Sequence, residues 1–182
     1  EVSGNVPFEY ADVTFSGNKI LSVEPAGKYE IAKNATAVDC TGKTLLPGLY
    51  DIHQHSDAIS VNFLDNRKIL DPFDFLNKVC LWSMRMMRMG YTTMRCMGAQ
   101  DRVGIRLRKV IDAGVFNGPR MFACGNAIAG TTKQVIGENP GYDGVDEWIK
   151  AARPEIANDA DFIKVYASGS VMANFGEPGQ MG

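Results

Sequence analysis

The chain has 182 residues, and its only histidines are His53 and His55. A (β/α)8 barrel typically runs to about 250 residues, with about 200 a practical minimum, so the length excludes a complete large barrel enzyme. The histidine count excludes a site with three or more histidine ligands from one chain. Lys and Arg number 19 against 21 Asp and Glu, for a net charge of −2, which lacks the cationic surplus of a nucleic-acid or acidic-membrane binder. With 45% apolar and 22% charged residues, the chain has the composition of a globular domain with a real core.

In chain order, residues 12–16 and 19–23 read as short strands flanking Gly17-Asn18, a two-residue hairpin signal. A third strand is expected at 37–40, before a turn at Thr41-Gly42. Three short strands cannot bury two faces by themselves. Near Pro47 the pattern changes. An apolar stretch over 45–55 is followed by a long loop. Asp71-Pro72 then supplies a helix cap with proline in the first turn. Leu76, Val79, Cys80, Ser83 and Met87 follow helical spacing, and Gly90 ends the helix. A strand is expected at 91–97, and Val103, Leu107, Val110 and Ile111 lie on one face of a second helix ended by Gly114. A strand at 120–124 follows, then a helix carrying Val145, Trp148, Ile149 and Ala152, which Pro154 should kink or shorten. A last strand is expected at 161–167.

This alternation predicts an α/β fold with a parallel sheet covered by helices. The later strands are apolar enough to be buried on both faces. Loops from strand into helix are long, at 56–70, 125–142 and from 168 onward. Ligands bind at that end of α/β sheets. No apolar run approaches the ~20 residues needed to cross a bilayer and no secretory signal is visible, so the expected location is the cytoplasm. Cys40, Cys80, Cys96 and Cys124 lack metal-ribbon or redox spacing and read as reduced, largely buried thiols.

Two features carry chemistry. In Pro47-Gly48-Leu49-Tyr50-Asp51-Ile52-His53-Gln54-His55, residues two apart share one face of a strand. His53 and His55 can therefore meet at one divalent cation, with Asp51 behind to orient a ligand. A bare pair of this kind is also found simply hydrogen-bonded at a strand end. The long loop after an apolar strand favours the metal. Lys164, in Asp161-Phe162-Ile163-Lys164-Val165-Tyr166, sits inside a strand expected to be buried. A buried amine tends to lose its proton, and neutral lysine is a nucleophile. It could form a Schiff base, as in a lyase, or take up carbon dioxide as a carbamate. It could equally reach out to solvent at the strand end.

The run Gly42-Lys43-Thr44-Leu45-Leu46-Pro47-Gly48-Leu49-Tyr50-Asp51-Ile52-His53-Gln54-His55 resembles the first barrel strand of the amidohydrolase superfamily, metal-dependent hydrolases on a (β/α)8 TIM barrel. The likeness continues in Gly90-Tyr91-Thr92-Thr93-Met94-Arg95, in Ala113-Gly114-Val115-Phe116-Asn117-Gly118-Pro119-Arg120, and in Asp161-Phe162-Ile163-Lys164-Val165. The spacing is similar to the imidazolonepropionase-like and prolidase-like branch, which cleaves cyclic amides or dipeptides.

The resemblance implies that residues 1–46 are part of a small β-sandwich and that residues 47–182 are the first four βα units of the barrel. It assigns His53 and His55 to the more buried metal and Lys164, as a carbamate, to the bridge to a second. The expected cofactor is zinc, one or two ions. The implied reaction is cleavage of an amide C–N bond in a small-molecule or peptide-like substrate by metal-activated water. A homo-oligomer is expected, with no nucleic-acid or membrane partner. The family's remaining histidines and its general-base aspartate come from later strands, expected beyond Gly182. No catalytic residue is therefore assigned within the chain, and the 182 residues alone are expected to be inactive. The chain also departs from the family pattern at Cys96, where relatives often have an acidic residue, and at Gly130-Thr131-Thr132-Lys133, where many have a histidine. A non-catalytic scaffold built on the same barrel is the alternative, against which the retained His53, His55 and Lys164 argue.

Overall fold

The computed structural model describes residues 10–28, 30–59, 71–131 and 141–167. The expected loops at 60–70, 132–140 and 168–182 lie outside them. The chain divides into two units, Glu1–Leu46 and Pro47–Gly182. In the first, β1 (Ala11–Ser16) and β2 (Lys19–Pro25) form an antiparallel hairpin. Gly17 takes φ +58° at the turn between them, a conformation that costs glycine little. The expected strand at 37–40 is absent: those residues have no regular structure. Instead the Asp39 carboxylate accepts from the Thr41 amide and hydroxyl, forming the turn without any ladder to support a strand. Cys40 is exposed, contrary to expectation.

The second unit contains β3 (Leu49–Gln54), α1 (Pro72–Arg88), β4 (Tyr91–Cys96), α2 (Val103–Asp112), β5 (Arg120–Ala123), β6 (Ile128–Ala129), α3 (Gly144–Ala157) and β7 (Val165–Tyr166). A single 3-10 turn, Gln100–Arg102, precedes α2. Strands β3, β4 and β5 form a parallel sheet in that order, and β6 pairs in parallel with β7. The Asp71 carboxylate caps α1 by accepting from the Phe73 amide at 2.8 Å, leaving Pro72 in the first turn, where its missing N–H costs nothing.

Met94 and Cys96 of β4 pair with Met121 and Ala123 of β5. All four are buried, and with Val79, Val103, Ile105 and Leu107 they place the core between this sheet face and α1 and α2. The opposite face of these strands carries Thr93, Arg95, Arg120 and Phe122. Among the described residues no helix is long and apolar enough to cross a membrane.

Three expectations are corrected. The strands are not buried on both faces: Leu49, Tyr50 and Ile52 of β3 are 49%, 68% and 65% exposed. That strand is an edge of its sheet, and apolar side chains are hidden only where a partner packs on them. The last strand is two residues long rather than seven. Helix α3 is not shortened by Pro154, which lies inside it. It buries Ala151 and Glu155, while Val145 and Ile149 remain exposed. Strand β6, inside an expected loop, was not foreseen; two residues carry too little periodicity to read.

Helix α2 lies tight against the sheet at Gly104. A Cβ there would stand 2.7 Å from Cys96 Sγ and 3.1 Å from Cys96 Cβ. Alanine gains about 1 kcal/mol of helix propensity, but overfilling a core costs about 1–3 kcal/mol. Gly104→Ala should therefore lower the melting temperature. In a Cys96→Ala background, which removes the sulfur, the same change should be neutral or stabilising. A thermal-melt double-mutant cycle without coupling would refute this packing.

Candidate functional site

His53 lies near the C-terminal end of β3 and His55 just beyond it. Their ring centroids are 5.5 Å apart and tilted by 54°. His55 Nδ1 lies 2.7 Å from the carbonyl oxygen of Gly98. A carbonyl only accepts, so Nδ1 carries the proton and Nε2 presents its lone pair. The Asp51 carboxylate accepts from the backbone N–H of His53 at 3.1 Å. It thus pins the main chain under the first imidazole rather than orienting a ring. The register between β3 and β4 shifts between Asp51 and Gln54, so a simple two-residue alternation does not describe this segment.

The loop that follows is anchored. Ser56 and Asp57 are buried; Ser56 accepts from Gln54 Nε2, and Asp57 accepts from the Gln100 amide at 2.8 Å. Neither Gly98 nor Asp57 was singled out from sequence. A backbone acceptor leaves no signal in side-chain type, and a lone Asp in a loop is too common to stand out.

Lys164 is half-buried and immediately precedes β7. Its carbonyl accepts from the Ile128 amide at 2.9 Å, which aligns β6 with β7. Its ammonium stands 5.1 Å from the Tyr166 ring centroid. Asp161 attaches this segment to the sheet: its amide donates to the Ala123 carbonyl, and its carboxylate accepts from the Ala123 amide and from Arg108. The Arg95 guanidinium lies over the Phe162 ring at 4.7 Å.

Burial lowers the His53 pKa below its usual 6.5, and the charges of Lys164, His55 and Arg95 lower it further, against a small opposing effect of Asp51. Burial, reinforced by Cys96, pushes the Cys124 thiol up to about 12. It stays protonated at neutral pH, a poor ligand and a poor nucleophile.

Among the described residues no three His, Cys, Asp or Glu side chains come together as a metal-holding group. The side chains here that could hold a divalent ion are the two imidazoles, whose rings lie 5.5 Å apart and which bind metals as the neutral base. His53 is biased toward that form, and the tautomer of His55 is fixed.

The model of the Amidohydrolase family matches residues 44–182. The chain belongs to the amidohydrolase family. Its solved neighbours include an amidohydrolase and a prolidase, consistent with a prolidase-like branch. It is similar to the crystal structure of an amidohydrolase at 28% identity and a TM-score of 0.77, covering 93% of this chain and 45% of that one. It is also similar to a prolidase complexed with N-methylphosphonate-L-proline, at 26% identity and a TM-score of 0.78, covering 99% and 46%. Ochratoxinase of Aspergillus niger is 27% identical over 161 residues, which cover 74% of this chain and 33% of ochratoxinase. The chain thus spans about a third of that curated relative and under half of the solved amidohydrolases it matches.

The unfolded chain takes up a proton at His53 near pH 6.5 that the folded amidohydrolase chain resists. The stability contributed by neutral His53 is therefore complete above pH 6.5 and is lost as pH falls through its lower folded-state pKa. Lys164→Met should raise the His53 titration midpoint toward 6.5, as followed by NMR of the imidazole ring. An unchanged midpoint would place the ammonium too far away to matter.

Proposed function

We propose that this chain contributes part of the active site of a metal-dependent hydrolase that cleaves an amide C–N bond in a small dipeptide-like or cyclic-amide substrate. The observation that carries the reading is the pair of adjacent imidazoles at the C-terminal end of a parallel strand, with His55 Nε2 left open by the Gly98 carbonyl. The amidohydrolase match and the prolidase among the solved neighbours support the reaction class.

In this reading His53 and His55 hold the ion, with zinc the expected metal. A bound divalent ion supplies water of lowered pKa, near ~7, and polarises the substrate carbonyl. The chain's own residues hold and orient: Asp51 fixes the His53 backbone, Gly98 fixes the His55 tautomer, and Lys164 is read as the source of the bridging nitrogen. An uncharged Lys164 amine can add carbon dioxide and release one proton, giving a carbamate whose two oxygens suit a second ion. Residues 1–46 are read as part of a β-sandwich and residues 47–182 as the first four βα units of a TIM barrel. The parallel pairings β3–β4–β5 and β6–β7 support that assignment. No residue of this chain is assigned as general base.

Metal titration with zinc or manganese tests the reading. The 182-residue chain should bind about one ion, and His53→Ala or His55→Ala should weaken binding by a factor of 10–100 or more. No hydrolysis of Xaa-Pro dipeptides above background is expected from these residues alone. Binding unchanged by both substitutions would reject the histidine site. Turnover by the 182 residues would reject the need for further catalytic groups.

A further inference from the structure

The Gly98 carbonyl that fixes His55 belongs to a backbone segment that does not hold its own shape. Gly98 takes φ +117°, and at the other end of the segment Asp101 and Arg102 both take φ +55°. Two successive non-glycine residues in the left-handed region persist only where surrounding contacts impose them.

Asp57 holds the middle of the segment by accepting from the Gln100 amide, and the contacts at the Arg102 end converge on a second buried carboxylate. Glu155 of α3 is 4% exposed. It accepts from Arg102 Nε at 2.9 Å and from Arg102 Nη2 at 2.8 Å, a bidentate pair. Its Oε2 also accepts from the Asn126 amide at 3.2 Å. Asn126 in turn accepts from the Arg102 amide through Oδ1 at 3.3 Å. A Cβ at Gly125 would stand 2.2 Å from Glu155 Oε2, so the carboxylate fills a place that only a glycine leaves open. The Gly125 carbonyl accepts from Ala99, the residue after Gly98, at 3.1 Å.

We propose that Arg102 and Glu155 are positioning residues for His55. The buried pair holds the 98–102 segment in its strained course, and that course places the Gly98 carbonyl on His55 Nδ1, keeping Nε2 free for a ligand. The proposal rests on the reading of His55 as a metal ligand, but its first readout needs no metal. An ion pair that merely tied α3 to the loop would affect stability and leave the imidazole unchanged.

The test uses the whole chain with Glu155→Gln, which keeps the size of the side chain and removes its charge. Nitrogen-15 NMR of the metal-free protein reads the His55 tautomer, and competition with a chromophoric chelator reads zinc affinity. Glu155→Gln should convert His55 from a single Nδ1–H tautomer to a mixture and weaken zinc binding by about 10-fold, the lower end of what losing an orienting partner costs. Gly118→Ala, whose Cβ would stand 2.7 Å from Ile111 Cδ1 at the end of α2 opposite Arg102, is a destabilised control and should show neither effect. Arg102→Lys keeps the charge without the bidentate geometry and should give an intermediate result; it decides the matter if Glu155→Gln does not fold. A wild-type tautomer in a folded variant, or an equal change in Gly118→Ala, overturns the proposal. If the wild type binds no zinc while the tautomer still responds to Glu155→Gln, the positioning role stands and the metal reading falls.

Discussion

Parallel pairing of β4 with β5 sets the orientation of nearly everything around it. Once Met94 is opposite Met121 and Cys96 opposite Ala123, one face is committed to α1 and α2, and Thr93, Arg95, Arg120 and Phe122 go to the other. The core on the first face is tight enough at Gly104 to leave no room for a methyl group, and that closeness fixes α2 against the sheet. The turn before α2 is tied down by separate contacts, from Asp57 to the Gln100 amide and from Glu155 to Arg102.

The charges near the site have a similar economy. Lys164 and Arg95 both bear on His53 and favour its neutral form, the form that can donate a lone pair. Arg95 is supported by the Phe162 ring and Lys164 lies near that of Tyr166, so aromatic side chains of the 161–167 segment accompany both cations. Asp161 joins that segment to β5 through backbone and side chain together. This gives so short a strand as β7 a defined place.

What could be read from the residues followed from local rules. Asp71-Pro72 announced α1, Gly17-Asn18 announced the hairpin, and the strand–helix alternation announced parallel pairing, because caps, turns and periodicity act within a few residues. The two rings of His-x-His do lie side by side, although the register shift there breaks the simple alternation expected of a strand. What escaped depended on partners far away in sequence. Residues 37–40 look like a strand but find no ladder. The burial of Glu155 on α3 could not be read locally, because a charged residue is buried there only by virtue of Arg102, 53 residues earlier. Gly98 gave no sign of its role, since its contribution is a backbone oxygen.

That last point bears on how mutation reaches the site. A side-chain partner of His55 could be deleted by one codon change at one position. A carbonyl cannot be deleted this way: any residue at 98 still carries one, and the bond is lost only if the loop is displaced. Mutational sensitivity is therefore transferred away from the point of contact to the residues that shape the loop. A survey of variants would then find the second imidazole most vulnerable at positions that never touch it.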